Sequence, residues 1–492
     1  MSLAQSIRSS TKWLLAGSLG SQLLHFAFGV ILARLLLPEE FGLLVTVQIF
    51  TGVAGLIAGG GMGQALIRSK EASERDFNVV FTMQFAICVL IYAFFYGIAP
   101  YFARWYDEPI YETLLRLTAL NFLLRPLVGT HGVWLSRNMR FKVRAIVGFI
   151  SGLITSISSV YMAWIGMGVW SLALSGLLGA LCNWAMLSYQ TPLLVRFAFD
   201  RATAAQFGGT GVKFSLLDIV SYLRGQINNF VIGRMADPAA VGLFNKAESL
   251  AKLPFSTISS SGYQPVFRAL AAEQDNKDKS KYIFLRTVTL LLVYTVPAYI
   301  TFSWLAEPLI TVVYGENWTA AAPPLSILAW AWIFSCFNQP AGALLAAQNM
   351  LGKELVVQAI ALVLNGLACV VGMRWGLAGV AWGLLLARLY TITHMSLLVR
   401  NCIHVSRKDV MATLRPGLLV GTATSAGLAL ASVMQQTGFL PADRMISLAT
   451  SLALAGSFFV ATLAFAPIPE ITSESNRLRQ LLRLPKKGDG GH

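Results

Sequence analysis

Apolar residues in this chain come in long, unbroken runs, and the polar positions collect in short connections between them. Fourteen such runs fall near 13–36, 42–67, 79–103, 113–135, 145–165, 168–190, 212–235, 239–263, 284–306, 321–347, 355–373, 377–399, 416–434 and 446–466. About twenty helical residues at 1.5 Å rise cover the ~30 Å hydrocarbon core of a bilayer. A transmembrane barrel would instead need segments of about ten residues with strict alternation, and the runs show no such period. The pattern predicts an all-α polytopic membrane protein with 14 transmembrane helices.

Composition agrees. Of 492 residues, 55% are hydrophobic and 12% charged, against about 25% charged in soluble globular proteins. The mean hydropathy is +0.62. A water-soluble multidomain enzyme is excluded. The net charge is +15, from 38 Lys and Arg against 23 Asp and Glu. In a soluble protein such an excess would point to nucleic acid. Here 27 of the basic residues fall on the side of the N-terminus, 5 on the opposite side and 6 within runs. The bias is a topology signal, because cytoplasmic loops hold the Lys and Arg. Both termini are expected in the cytoplasm, with the bilayer as partner and no nucleic acid. The first run is too long for a cleavable signal core. Five scattered cysteines lack metal-ligand spacing, so neither a disulfide framework nor a metal site is expected. The polar tail from Pro467 is expected to be mobile.

The chain also repeats itself. Arg34, Pro38 and Gly42 recur as Arg234, Pro238 and Gly242, and Ala65-Leu-Ile-Arg68 as Pro265-Val-Phe-Arg268, both at an offset of 200. Asn138-Met139 with Lys142 matches Asn349-Met350 with Lys353, and Gly166 to Trp170 matches Gly376 to Trp382, at offsets of 210 to 212. Six runs per copy mean that both copies enter the membrane in the same sense, as parallel repeats of transporters do. The expected organisation is a six-helix bundle over 1–200, a second over 201–405, two added helices over 406–466 and a cytoplasmic tail over 467–492. Two bundles facing each other across a cleft suit alternating access.

Several motifs carry a resemblance. Lys12-Trp13, Leu32-Ala-Arg34, Phe41-Gly-Leu-Leu44, Phe214-Ser215, Tyr314-Gly-Glu-Asn-Trp318 and Asn338-x-Pro340 are similar to Wzx-type polysaccharide flippases. These belong to the multidrug/oligosaccharidyl-lipid/polysaccharide exporter superfamily, and the closest likeness is to the colanic-acid-exporter branch. The resemblance implies a MATE-like fold. It also implies transfer of a polyprenyl-pyrophosphate-linked oligosaccharide repeat unit to the outer leaflet of the inner membrane for surface polysaccharide. Polysaccharide polymerase and glycosyltransferases are the protein partners it implies.

Charges inside a bilayer are costly and default to functional roles facing the interior. The seventh run holds Asp218, Tyr222, Arg224, Asn228 and Asn229, and the eighth Lys246, Glu248 and Lys252. Arg116 and Arg125 add to the basic side from the fourth run, and Arg388 from the twelfth. A cationic cleft attracts an anionic passenger such as pyrophosphate, which Arg grips bidentately and Lys as a point charge. Arg224, Lys246, Lys252, Arg116, Arg125, Arg388, Asn228 and Asn229 are the candidate substrate-binding residues. No nucleotide-binding motif occurs, so the energy is expected from an H+ or Na+ gradient and no cofactor is expected. Asp218, Glu248 and His25 are the candidate coupling residues. Pro254, Pro297 and Pro340 fall inside runs as candidate hinges. Gly55, Gly59 and Gly63 read as a close helix-packing face, and Trp105, Tyr106, Tyr314 and Trp318 as interfacial anchors. Two alternatives stay open: a cation-coupled multidrug exporter, which would favour an acidic cavity, and a membrane polysaccharide polymerase or ligase, which would need a large external loop.

Overall fold

Helix follows helix along the chain in the computed structural model, which describes residues 20–59, 61–69, 72–439, 443–466 and 469–481. For 205–218 and a few scattered positions it describes the backbone alone. Lys12 and Trp13 lie outside the described residues, as does the side chain of Asp218. No strand occurs among the described residues. Contacts divide the chain into two compact units, Met1–Gly242 and Leu243–His492.

The first unit holds α1 (Gly20–Leu35), α2 (Pro38–Gly59), α3 (Met62–Arg68), α4 (Glu74–Trp105), α5 (Ile110–Ala119) and α6 (Asn121–Arg137). It continues through α7 (Phe141–Trp164), α8 (Val169–Gln190) and α9 (Arg201–Met235). Ser73 starts α4 with a capping box closed by Asp76, so two otherwise orphaned amides are satisfied before the helix leaves water. Phe102, Tyr111, Leu114, Leu115 and Phe122 form the core, and Phe50 meets Phe102 and Phe230 edge to face at 5.0 and 6.0 Å.

α10 (Pro238–Ala272) starts in the first unit and from Leu243 belongs to the second, which continues through α11 (Lys277–Trp304), α12 (Ala306–Tyr314), α13 (Ala322–Ile333), α14 (Ser335–Ala347), α15 (Leu351–Gly372) and α16 (Gly376–Cys402). It ends in α17 (Arg407–Gln436), α18 (Arg444–Phe465) and α19 (Thr472–Leu481). Its core gathers Phe284, Val288, Tyr299, Leu344 and Met395.

Among the described residues, nine helical stretches are long and apolar enough to cross a membrane; one of them, Gly352–Cys402, is 51 residues long and holds both α15 and α16. Among the described residues, the runs fall on helices or on helix pairs with a short break, the first of them from Gly20 onward. The fourth run is split at Leu120, and the tenth at Phe334. That second break comes before Asn338 and Pro340, because Pro340 is accommodated inside α14. Pro254 and Pro297 likewise sit inside continuous helices.

The repeat has structural counterparts. Met139 and Asn349 both take the left-handed conformation, with φ of 56° and 57°. Each ends its helix with a wide-turn bond: Arg140 N donates to the Leu135 carbonyl at 2.9 Å, and Met350 N to the Leu345 carbonyl at 2.8 Å. The structural offset here is 210, one less than the sequence match of Asn138 with Asn349. The backbone demand falls on the left-handed position, which Asn tolerates and Met fills under strain.

More telling is a reciprocal crossing inside the first unit. A Cβ on Gly42 would lie 1.6 Å from the Pro238 carbonyl oxygen, and one on Gly242 would lie 1.9 Å from that of Pro38. The two copies of the Pro-x-x-x-Gly turn therefore pack backbone against backbone. Only glycine leaves room for that approach.

The segment after α18 differs from the expected mobile tail over 469–481. Ile471 is fully buried against Val293 and Leu463. The Arg286 guanidinium reaches the Glu470 carbonyl, the Glu474 carboxylate and Ser473 Oγ, the last at 2.7 Å. Burial works to raise the pKa of Glu474, but hydrogen bonds from Ser473 and Arg286 outweigh it and hold the group below its ordinary value. A carboxylate depressed in this way stabilises the docked segment above its unfolded pKa, and the contribution is lost as pH falls through the folded one. Amide exchange of 472–481, corrected for intrinsic rate, should therefore rise as pH drops below the carboxylate range. At neutral pH, Arg286→Ala should speed tryptic cleavage at Arg477 and Arg479 about tenfold or more, since hydrogen bonds to charged groups contribute about 1.5–3 kcal/mol. Unchanged cleavage in that variant would show that Arg286 does not hold the segment.

Candidate functional site

The glycine face of α2 is where the first unit departs most from ordinary helix packing. A Cβ on Gly52 would lie 1.9 Å from the hydroxyl oxygen of Tyr222, and one on Gly55 would lie 2.6 Å from Nη1 of Arg125. Gly59 faces Nη2 of the same guanidinium, with 3.9 Å to its hypothetical Cβ, and Gly63 faces Val133. Tyr222 donates its hydroxyl proton to the Gln48 carbonyl at 2.7 Å. The face is a packing face as expected, but at Gly55 and Gly59 its occupant is a charged side chain of α6.

Arg125 is exposed although it sits within a membrane-spanning run. Its guanidinium makes no ion pair among the described residues. Five donors in a planar fork on a floor of glycine form a surface that fits a carboxylate or phosphate edge. No hydropathy signal marks Arg125 off from Arg116. Arg116 is already engaged, paired with Glu112 at 2.8 Å and set over the Tyr96 ring at 4.5 Å.

Other predicted residues of the first unit separate by burial. Asn228 and Asn229 are buried on the packed side of α9, where Asn229 donates to Gln226 at 3.0 Å. Arg224 faces outward beside exposed Leu223 and Gly225, and His25 is exposed on α1.

In the second unit, Lys246 points at the face of two aromatic rings, 5.5 Å from Tyr314 and 5.7 Å from Trp318. Both rings are buried, Trp318 completely, so they are core residues and not interfacial anchors. Gly315, at φ 103°, turns the chain back after α12 and brings Trp318 inward. Aromatic faces attract a cation through the ring quadrupole. Arg388 lies 4.3 Å over the Trp332 ring and donates to Ser335 Oγ at 2.9 Å and to the Ala331 carbonyl at 3.3 Å. It thereby serves backbone and side-chain acceptors at the α13–α14 break. Glu248 is half-buried within electrostatic reach of Cys369, whereas Lys252 is exposed. Among the described residues no cluster of three or more His, Cys, Asp or Glu is placed to hold a metal ion.

The chain has relatives that fit this picture. It is 24% identical to the teichuronic acid biosynthesis protein TuaB of Bacillus subtilis (strain 168), over 77% of this chain and 80% of that one. Its fold is that of the lipid II flippase MurJ in an inward closed conformation. The TM-score is 0.73 at 14% identity, covering 90% of this chain and 97% of the other. An inward-facing multidrug resistance MATE family transporter aligns with a TM-score of 0.58 at 15% identity, over 78% of this chain and 95% of the other. The protein is thus a multi-pass, all-helical membrane protein with the MurJ and MATE transporter fold. A family pattern described as polysaccharide biosynthesis protein matches residues 31–323, well over half of its length, and the chain belongs to that family.

Proposed function

We propose that this protein is a flippase. It moves a polyprenyl-pyrophosphate-linked oligosaccharide repeat unit from the cytoplasmic to the outer leaflet of the inner membrane, by alternating access, for surface polysaccharide biosynthesis. The observation that carries the reading is the Arg125 guanidinium, exposed on a glycine floor within a membrane-spanning bundle of a polysaccharide biosynthesis protein. A permanent charge at membrane depth is costly, at least ~2.5–3.5 kcal/mol on insertion scales. An anionic passenger makes use of it. Relatives support the chemistry: TuaB is named for teichuronic acid biosynthesis and MurJ for lipid II flipping.

Fourteen spans, cytoplasmic termini and two six-span repeats over 1–200 and 201–405 complete the proposed organisation. Arg224, exposed in the first unit, and Lys252, exposed in the second, are further candidate contacts for the anionic passenger. Lys246 and Arg388, within the second unit, are weaker candidates, because aromatic and backbone groups already hold them. Transport is coupled to an H+ or Na+ gradient, with Asp218, Glu248 and His25 as the coupling groups and Pro254, Pro297 and Pro340 as flexing points. Polysaccharide polymerase and glycosyltransferases are the proposed protein partners. The multidrug-exporter alternative calls for acidic groups to hold cationic drugs, whereas Arg125 and Arg224, exposed within runs of the first unit, are basic.

Deleting the gene in its own host tests this proposal. Surface polysaccharide should be lost, with polyprenyl-linked repeat units trapped on the cytoplasmic leaflet. Intact polysaccharide with heightened sensitivity to cationic drugs would favour the multidrug exporter instead.

A further inference from the structure

The connection between α8 and α9 is a strap without regular secondary structure over 191–200, and it is tied along α4. Extended backbone at membrane depth needs partners for its amides, because lipid offers none. Two amides of this strap have such partners on α4. Arg196 N donates to Asn78 Oδ1 and Ala198 N to Thr82 Oγ1, each at 2.9 Å. Asn78 and Thr82 lie one turn apart on α4, and Thr82 sits about 12 Å along the helix from Glu74 at 1.5 Å per residue. Thr191 fastens the near end by a 2.6 Å hydrogen bond with buried His131, and Asp200 fastens the far end to Arg75 at 3.8 Å.

Side chains of the strap divide into a buried set and an exposed set. Thr191 and Leu193 are buried, and Val195 packs beside Leu193 on a cluster that includes Phe77 and Val80. Leu194, Phe197 and Phe199 point away from the protein, each about two-thirds or more exposed. Phe197 still rests on Phe81 and Phe85, with ring centroids 5.5 and 5.4 Å apart, so the exposed row continues the apolar surface of α4. Arg196 and Arg201 flank it, both exposed. Exposed apolar side chains interleaved with cationic ones are the composition of an interfacial membrane segment, which binds anionic headgroups and acyl chains together.

We propose that the strap over 191–200 is a lipid-binding surface that lies in the headgroup and acyl boundary of one leaflet and takes anionic phospholipid through Arg196 and Arg201. The Lys and Arg distribution makes that leaflet the cytoplasmic one, in keeping with the proposed topology; the lipid contact does not depend on flippase activity. Leu194, Phe197 and Phe199 anchor the connection in the acyl region, and Asn78 and Thr82 keep its backbone from facing lipid unsatisfied.

The test uses the full chain in nanodiscs, with a nitroxide on single cysteines at 194, 197 or 199 and Cys182→Ser in the background. The other four cysteines are buried. Each nitroxide should be more accessible to oxygen than to an aqueous nickel complex. Labels open to the nickel complex would overturn the proposal, and so would labels shielded from both reagents, which would indicate a protein partner. In a second measurement, discs of phosphatidylcholine alone are compared with discs containing a quarter phosphatidylglycerol. The anionic lipid should raise the thermal midpoint of the wild type and lose that effect in Arg196→Gln with Arg201→Gln. A shift that persists in the double variant would overturn the role of these arginines. Neither readout measures transport, so failure of the flippase reading would leave it standing.

Discussion

Arg125→Ala is expected to cut export of lipid-linked repeat units about ten- to a hundredfold at normal protein level. One charge-assisted hydrogen-bonding pair contributes about 1.5–3 kcal/mol, and each 1.4 kcal/mol is about tenfold. Removing a charge from a span eases insertion, so a folding failure is not the expected cause of loss. Arg125→Lys should recover only part of the activity, because an ammonium keeps the charge but not the planar fork. Arg116→Ala, in the same run, is the control. Its guanidinium is already engaged by Glu112 and the Tyr96 ring, so export should stay near wild type. The measurement is radiolabelled surface polysaccharide together with the lipid-linked pool on the cytoplasmic leaflet. Wild-type export in Arg125→Ala at normal expression would remove the central support for an anion-binding bundle.

Gly42→Ala and Gly242→Ala should each lower stability by about 3 kcal/mol, at the upper end of what forced overpacking costs. The thermal midpoint should fall by roughly 6–12 °C at ~2–4 °C per kcal/mol. The clash is with carbonyl oxygens at 1.6 and 1.9 Å, which no side-chain rotation relieves. Because both methyl groups push apart the same pair of turns, one separation serves both. The double variant should therefore lose clearly less than the sum of the single losses. Gly148→Ala is the comparison, since a Cβ there meets nothing within 4 Å. Thermal unfolding of purified protein in detergent reads all four variants. Strict additivity would mean that the two turns do not share a contact.

The fourteen apolar runs were legible because lipid removes every alternative: a run of about twenty apolar residues must satisfy its amides internally, and helix is the local way to do so. The repeat was legible for a related reason. Arg34, Pro38 and Gly42 and their counterparts at 234, 238 and 242 mark turns whose backbone needs are local. The split of the tenth run at Phe334, ahead of Asn338 and Pro340, was not legible, because Arg388 from a distant helix meets the acceptors there. The tail over 469–481 departs from expectation for a similar reason. Its polarity suggested mobility, but Arg286 and the buried Ile471 dock it from outside its own sequence.

The candidate charges show the division most clearly. Composition and hydropathy alone placed Arg116, Arg125, Lys246 and Arg388 at membrane depth, because the cost of burying charge depends only on position along a run. Which of them is engaged was decided mostly by partners on other helices: the Tyr96 ring for Arg116, added to its i,i+4 partner Glu112, the Tyr314 and Trp318 rings for Lys246, and Trp332 and Ser335 for Arg388. The glycines were equally visible, but their occupants were not. Gly55 and Gly59 receive a guanidinium, and Gly42 and Gly242 receive each other's turns. The sequence by itself determined helices, membrane and repeat, since these follow from local periodicity and transfer energy. Only the tertiary structure decided which charge stays exposed on the glycine floor, because pairing depends on distances between segments that periodicity does not encode.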